Sequence, residues 1–191
     1  WFPMPYTADD IAEVTADNRL VAQPYTKRMN SVLAVDQAAA LIVTSAEVAR
    51  NAGVDRSGWV FPWSSASCND VFLPSQRPRL DRSEGLAAAG RAALTAAGVG
   101  IDDIGAIDLY SCFPCAIQMG AEALGLPLHD PARLTLTGSM PYFGGPGNNY
   151  ATHGIAHVAA AIRAGRAALG LATGLGWYVT KHAVGVYGAN P

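Results

Sequence analysis

The chain has 191 residues, half of them hydrophobic and 15% charged, with 13 Lys and Arg against 15 Asp and Glu for a formal charge of −2. This is enough apolar material for one domain-sized core and too little charge for a disordered chain; with no basic run there is no field to attract a polyphosphate, which argues against nucleic acid as a partner. The Ala-rich stretches are interrupted by Arg91, Arg163 and Arg166, so no membrane partner is expected, and with Trp1 in place of an initiator Met and no leader-like pattern the sequence reads as a cytoplasmic piece of a longer chain.

Residues 1–35 mix Pro3, Pro5 and Pro24 with polar residues and read as a connector, in which Thr7 is placed to cap a short helix with an acidic first turn. Residues 36–191 have the regular pattern of one domain. Within it, residues 38–45 (AAALIVTS) are a continuous apolar run of strand length, 45–53 read as a helix stopped by Gly53, and 58–63 (GWVFPW) read as a strand. The Pro-, Gln-, Arg- and Asp-rich stretch from Asn69 to Arg82 reads as a surface loop. Residues 84–100 then set Leu86, Ala89, Ala93, Leu94 and Ala97 on one helical face and end on Gly98 and Gly100. A buried strand is expected at 106–111 (AIDLYS), a helix at 113–125 with Pro114 near its first position and Gly125 at its end, and another strand at 133–138 (RLTLTG). The turn at 143–149 (FGGPGNN) opens a helix with Tyr150, Ile155, Val158, Ala159 and Ile162 on one face, and 167–188 reads as two adjacent strands. Strands separated by helices of this length predict an α/β fold with a sheet covered on both faces.

Three cysteines, Cys68, Cys112 and Cys115, are too few and too unevenly spaced for a disulfide framework or a four-ligand zinc site, which points to a reducing compartment. Cys112 falls between a predicted strand and a predicted helix start, where the helix dipole favours a thiolate; its other reading is a small buried apolar residue. Cys115 reads as packing within that helix, and Cys68 as part of a polar loop. The three glycines of residues 144–149 (GGPGNN) let backbone N–H groups approach an oxyanion, or simply make a tight turn. His153 and His157, four apart, read as packing rather than as metal ligands, because no Glu stands between them in the H-E-x-x-H manner. His182 reads equally as a core residue, a base or a solvated polar group.

Taken in order, VDQAAALIVTSAEVA, GRAALTAAGVGIDDIGAIDLYSCF, LTLTGSMPYFGGPGNNYATHGIA and GLATGLGWYVTKHAVGVYG resemble the C-terminal half of the thiolase superfamily, from about Gln23 onward. The likeness is strongest to sterol-carrier-protein-type thiolases and to bacterial thiolase-like acetyl-CoA acetyltransferases. It implies half of a layered αβαβα fold, with a mixed sheet covered by helices on both faces and an N-terminal half outside these residues. It further implies an acyl-CoA-dependent acyltransferase that makes or breaks a C–C bond next to a thioester, with a coenzyme A thioester as substrate and no bound cofactor. Partners implied are the N-terminal half, a second copy of the chain or a small partner protein.

Cys112 and Phe113 match the end of the family's H-D-C-F block, whose Cys is the general acid/base, while Tyr110 and Ser111 replace its His and Asp. Gly145 stands where the G-H-P block carries an oxyanion-hole His, which leaves Tyr110, Asn148 and Asn149 as candidate donors, with His182 as a further candidate. Two alternatives follow from these departures: a Tyr-dependent retro-aldol lyase using Tyr110 and Tyr150, and a catalytically silent acyl-CoA-binding or assembly subunit.

Overall fold

A computed structural model describes residues 5–191. In chain order the elements are α1 (Ala8–Ala12), β1 (Leu20–Ala22), β2 (Tyr25–Thr26), α2 (Ala46–Asn51), β3 (Phe61–Asn69), α3 (Glu84–Ala97), β4 (Ala106–Asp108), α4 (Pro114–Leu124), α5 (Met140–Phe143), α6 (Tyr150–Arg163), β5 (Leu169–Gly176) and β6 (Lys181–Gly188). β1 and β2 form a small separate pair, and the main sheet has the order β3-β6-β5-β4. β4 runs parallel to β5, and the other neighbours are antiparallel, so the sheet is mixed.

Side-chain alternation sorts the two faces. Ile107 on β4 and Leu109 just after it, Leu169 and Leu171 on β5, and Val184 and Val186 on β6 all point to one side, where they meet Leu86, Ala89 and Ala93 of α3 and Ala121 and Leu124 of α4. On the other side Ala172 packs with Val158 and Ile162 of α6. Burying each Leu, Val or Ile in this way contributes about 1.5–3 kcal/mol relative to an exposed side chain. Helices cover both faces, as the alternating pattern predicts. The helix ends also follow their signals: Thr7 caps α1 in a capping box, and Gly98 and Gly125 take left-handed conformations that close α3 and α4.

Three local expectations are corrected. Residues 38–45 are not a strand: they have no regular structure, and Ile42 and Val43 are 95% and 86% exposed. An apolar run becomes a strand only when a neighbour takes its backbone hydrogen bonds, and no described residue pairs with this one. Residues 133–138 are not a strand either, because the N–H groups of Leu136 and Thr137 donate to the Asp108 carboxylate at 2.9 and 3.1 Å instead of to a sheet. Finally, β3 starts at Phe61 and runs through the Ser-rich stretch to Asn69, which puts Cys68 opposite His182 in the sheet rather than in a loop. No helix among the described residues is long and apolar enough to cross a membrane.

Candidate functional site

β4 ends on Asp108, and the following residues Leu109 to Phe113 lead directly into α4. The Tyr110 N–H donates to Thr173 Oγ1 on β5 at 2.8 Å, which fixes the chain just before the Ser111–Cys112 step. Ser111 Oγ then accepts from the Met140 N–H at 3.0 Å and lies 3.3 Å from the Tyr150 hydroxyl. Cys112 and Tyr110 pack against the buried trio Met140, Phe143 and Tyr150, with the rings of Tyr110 and Tyr150 edge-on at 5.4 Å. Of the residues singled out in the sequence, the fold therefore groups Tyr110, Cys112 and Tyr150.

The electrostatics of Cys112 run opposite to the expectation from its place at a helix start. Burial first, and then the electrostatic influence of the neighbouring Cys115, raise its pKa to about 11 against two weaker backbone hydrogen bonds that lower it. A helix terminus is worth about 0.3–1 kcal/mol to a charge in its first turn. Cys112 precedes the N-cap residue Phe113, so burial wins and it is a neutral thiol at physiological pH. Tyr110 is raised by burial and by Cys112, and Tyr150 by burial and by the charge of Asp108, so both phenols are neutral as well.

Tyr150 is fully enclosed. Its hydroxyl lies 2.7 Å from Thr137 Oγ1, and Thr137 Oγ1 in turn donates to Asp108 Oδ1 at 3.1 Å. Asp108 Oδ1 also accepts from Thr135 Oγ1 at 3.0 Å in addition to the two N–H groups described above. This one carboxylate oxygen shapes the loop from Thr135 to Ser139. Gly154 on α6 makes room for it, since a Cβ there would stand 2.8 Å from Asp108 Oδ2. Asp108 and Thr137 escaped sequence reasoning; their signal was an acid at the end of an apolar strand followed by a hydroxyl-rich TLT.

The turn at Gly144–Asn149 lies beneath residues 31–37. Gly145 N donates to Val32 O at 2.8 Å, and Gln37 Nε2 donates to Phe143 O at 2.7 Å. A Cβ at Gly145 would sit 1.8 Å from Ser31 Oγ. The positive φ values of the turn belong to Gly144 and Gly147, at +112 and +60, and not to Gly145. So Gly145 is a glycine because a strap of chain rests on it, not because of its own φ. Asn148 is exposed, and the Asn149 amide is 3.3 Å from His153 Nε2. His153 and His157 both pack edge-on to Phe143, at 5.2 and 5.4 Å. A cleft of about 180 Å³ opens beside Ser111 and Phe113, with Arg28, Ile117 and Tyr142 in its walls.

His182 is placed elsewhere, on the α3 face. Its Nε2 lies 2.9 Å from Asp70 Oδ2 and 3.0 Å from Ser83 Oγ. Asp70 Oδ1 accepts the Gly85 N–H at 2.9 Å, and Ser83 Oγ accepts the Leu86 N–H at 3.0 Å, so the group closes the N-terminus of α3. Burial lowers the His182 pKa against the pull of Asp70. In Asp70 burial pushes the other way, but hydrogen bonds from Ser83, Gly85 and His182 outweigh it and hold the carboxyl below its usual range.

No protein-family profile matches the chain, and no curated protein matches its sequence. Among solved structures, it is similar to a monomeric SCP2-thiolase like protein type 1 from Mycobacterium smegmatis, at 34% identity and a TM-score of 0.86 over 99% of the chain. The chain spans 41% of that protein's length. The mixed sheet, the helices on its two faces and this likeness together give the chain a thiolase-like fold.

Proposed function

We propose that the chain is the C-terminal half of an acyl-CoA-dependent acyltransferase of the thiolase superfamily, acting on a C–C bond next to a thioester carbonyl. The observation that carries this reading is Cys112, packed on Met140, Phe143 and Tyr150 between β4 and α4, in a chain 34% identical in sequence to an SCP2-thiolase like protein. Breaking such a bond leaves an α-carbanion that must be protonated, and a neutral thiol is the protonation state that can donate. In this reading the acylated nucleophile comes from an upstream half and the substrate is a coenzyme A thioester with no bound cofactor. The carbonyl donors come from that half together with Tyr110 and Asn149. The setting is cytoplasmic, and a second copy or a small partner protein completes the assembly.

The packing of Ser31 and Val32 on Gly144–Gly145 favours a second reading, a silent acyl-CoA-binding subunit, because it fills the place where an oxyanion donor is expected. Losing one such donor costs about 10²–10³ in rate. The deciding experiment measures thiolysis of a 3-ketoacyl-CoA and binding of the same ester, using the full-length protein and its Cys112→Ser variant. Loss of turnover with unchanged binding supports the acyltransferase. Binding with no turnover in either protein establishes the silent subunit, and absence of both overturns the acyl-CoA reading altogether.

A further inference from the structure

A second cleft opens at the end of the sheet away from Cys112. β3 begins there at Phe61 and β6 ends there at Gly188, which pair across the sheet. Leu169, the first residue of β5, lies at the same end, and Thr173, which holds Tyr110, lies further along that strand. The cleft has a volume of about 410 Å³, with Arg56, Trp59, Ile162, Arg163 and Asn190 in its walls. Its two charged residues are both arginines, and no Asp or Glu lines it.

Each guanidinium is held in place without a counter-charge. Arg56 sits over two rings, 4.5 Å from the centroid of Phe61 and 5.3 Å from that of Trp59, with one N–H directed at Ala189 O at 3.4 Å. Arg163 donates its Nε–H to Gly58 O at 2.7 Å, which leaves both terminal nitrogens for another acceptor. No carboxylate among the described residues forms an ion pair with either side chain. Asp55, next to Arg56 in sequence, instead accepts from the Ser57 N–H and hydroxyl at 2.7 and 2.6 Å. Arginines already stacked or anchored lose less side-chain freedom when an acceptor arrives. α6 ends at this cleft and brings roughly half a negative charge, against two full positive ones. The local balance is therefore cationic in a chain whose formal net charge is −2.

We propose that this cleft binds a phosphorylated small molecule, with its phosphate bridged between Arg56 and Arg163 and its organic part against Ile162 and Trp59. A phosphate monoester carries about −1.5 to −2 at neutral pH, which matches two guanidiniums, whereas a carboxylate leaves one of them without a partner. Guanidinium forks also take phosphate oxygens two at a time. The Ile162 and Trp59 walls offer nothing to a bare phosphate and favour one that carries an apolar body. The site is separate from the cleft beside Ser111 and stands independently of the acyl-CoA reading.

The test footprints the arginines of the full-length protein with phenylglyoxal in low-salt buffer, followed by peptide mapping, with phenyl phosphate, inorganic phosphate, acetate or acetyl-CoA added in turn. The expected result is saturable protection of Arg56 and Arg163 together by phenyl phosphate, weaker protection of the same pair by inorganic phosphate and none by acetate, while the exposed Arg166 is modified equally throughout. Arg163→Gln should lower the affinity for phenyl phosphate by about tenfold or more, read by calorimetry. Protection of neither arginine, acetate as effective as phenyl phosphate, or protection extending to Arg166 would each overturn the proposal. Protection of the pair by acetyl-CoA alone would overturn it too, and would give the cleft to the phosphates of that thioester. The wild-type footprint alone decides, so a variant that fails to fold leaves the answer intact.

Discussion

Asp70 and Asp108 each stand at the end of a strand and each receive hydrogen bonds from a segment well ahead in sequence, but they organise different things. Asp70 takes its bonds from Ser83, Gly85 and His182 and closes the first turn of a 14-residue helix that carries its own i to i−4 ladder. Asp108 takes four bonds on a single oxygen from Thr135, Leu136 and Thr137, in a loop with no ladder of its own. One carboxylate trims an element that local propensity already favours; the other is what gives residues 135–139 a conformation at all. The lesson is that the candidate site is held by side-chain acceptors, while the opposite face of the sheet is held by apolar packing. The partners also differ in kind: Asp70 bonds to a titratable ring, and the groups donating to Asp108 are hydroxyls and amides.

The largest expected effect follows from that asymmetry. Asp108→Ala leaves four donor groups of a half-buried loop without their acceptor, at about 1–3 kcal/mol for each that stays unsatisfied, read as a lower urea midpoint together with faster proteolysis within 135–149. Asp108→Asn, which keeps one oxygen, should cost about 1–3 kcal/mol. Equal losses for Asp108→Ala and Ser83→Ala would erase the distinction.

Next comes the strap on the same side of the molecule. Gly145→Ala forces Ser31 aside and should cost about 1–3 kcal/mol by overpacking, with Gly145→His costing more. Adding Ser31→Gly to Gly145→Ala should recover much of the loss, and a pair whose effects simply add would show that the strap does not rest on the turn. Smaller again is Ser83→Ala, which removes the α3 cap and should cost about 1 kcal/mol, measured by thermal or urea unfolding.

The smallest effect is one of pH. His182 and Asp70 are both held below their ordinary values, so their contributions are complete above unfolded pKa values of about 6.5 and 3.9 and are lost as pH falls through each window, His182 first. Stability should therefore drop between pH 7 and 5, and drop further below pH 4. His153 is lowered too, by burial and by His157, so the diagnostic quantity is the difference made by His182→Gln. That variant should flatten the upper part of the profile. An identical slope in wild type and His182→Gln would remove the Asp70 cluster as its source.

Elements whose stabilisation is local were legible from sequence. The apolar stripe of α3, Pro114 at the start of α4, the Gly98 and Gly125 caps and the β5–β6 pair all stand where their patterns put them. Residues 38–45 and 133–138 were misread because an apolar or alternating stretch specifies a face, not a partner. The first lacks a neighbouring strand among the described residues, and the second found Asp108. At the candidate site the position of Cys112 between strand and helix was readable. The sign of its pKa shift was not, because that depends on Met140, Phe143 and Tyr150 arriving from later in the chain. Nor could sequence show why position 145 is a glycine, since the reason lies in Ser31.

The strand order β3-β6-β5-β4 has a consequence for the order of synthesis. β3 is an edge strand whose sheet neighbour is β6, and Asp70 and His182, which lock that edge to α3, are 112 residues apart in the sequence. On a ribosome adding about 5–20 residues per second, β3 and α3 emerge many seconds before anything can complete them. Until β6 arrives, Leu86 and its neighbours on α3 lack Val184 and Val186 as packing partners. Closure of the sheet is thus a late, non-local step, and over that interval the newborn chain presents a Ser-rich edge, Ser64 to Ser67, rather than an apolar one.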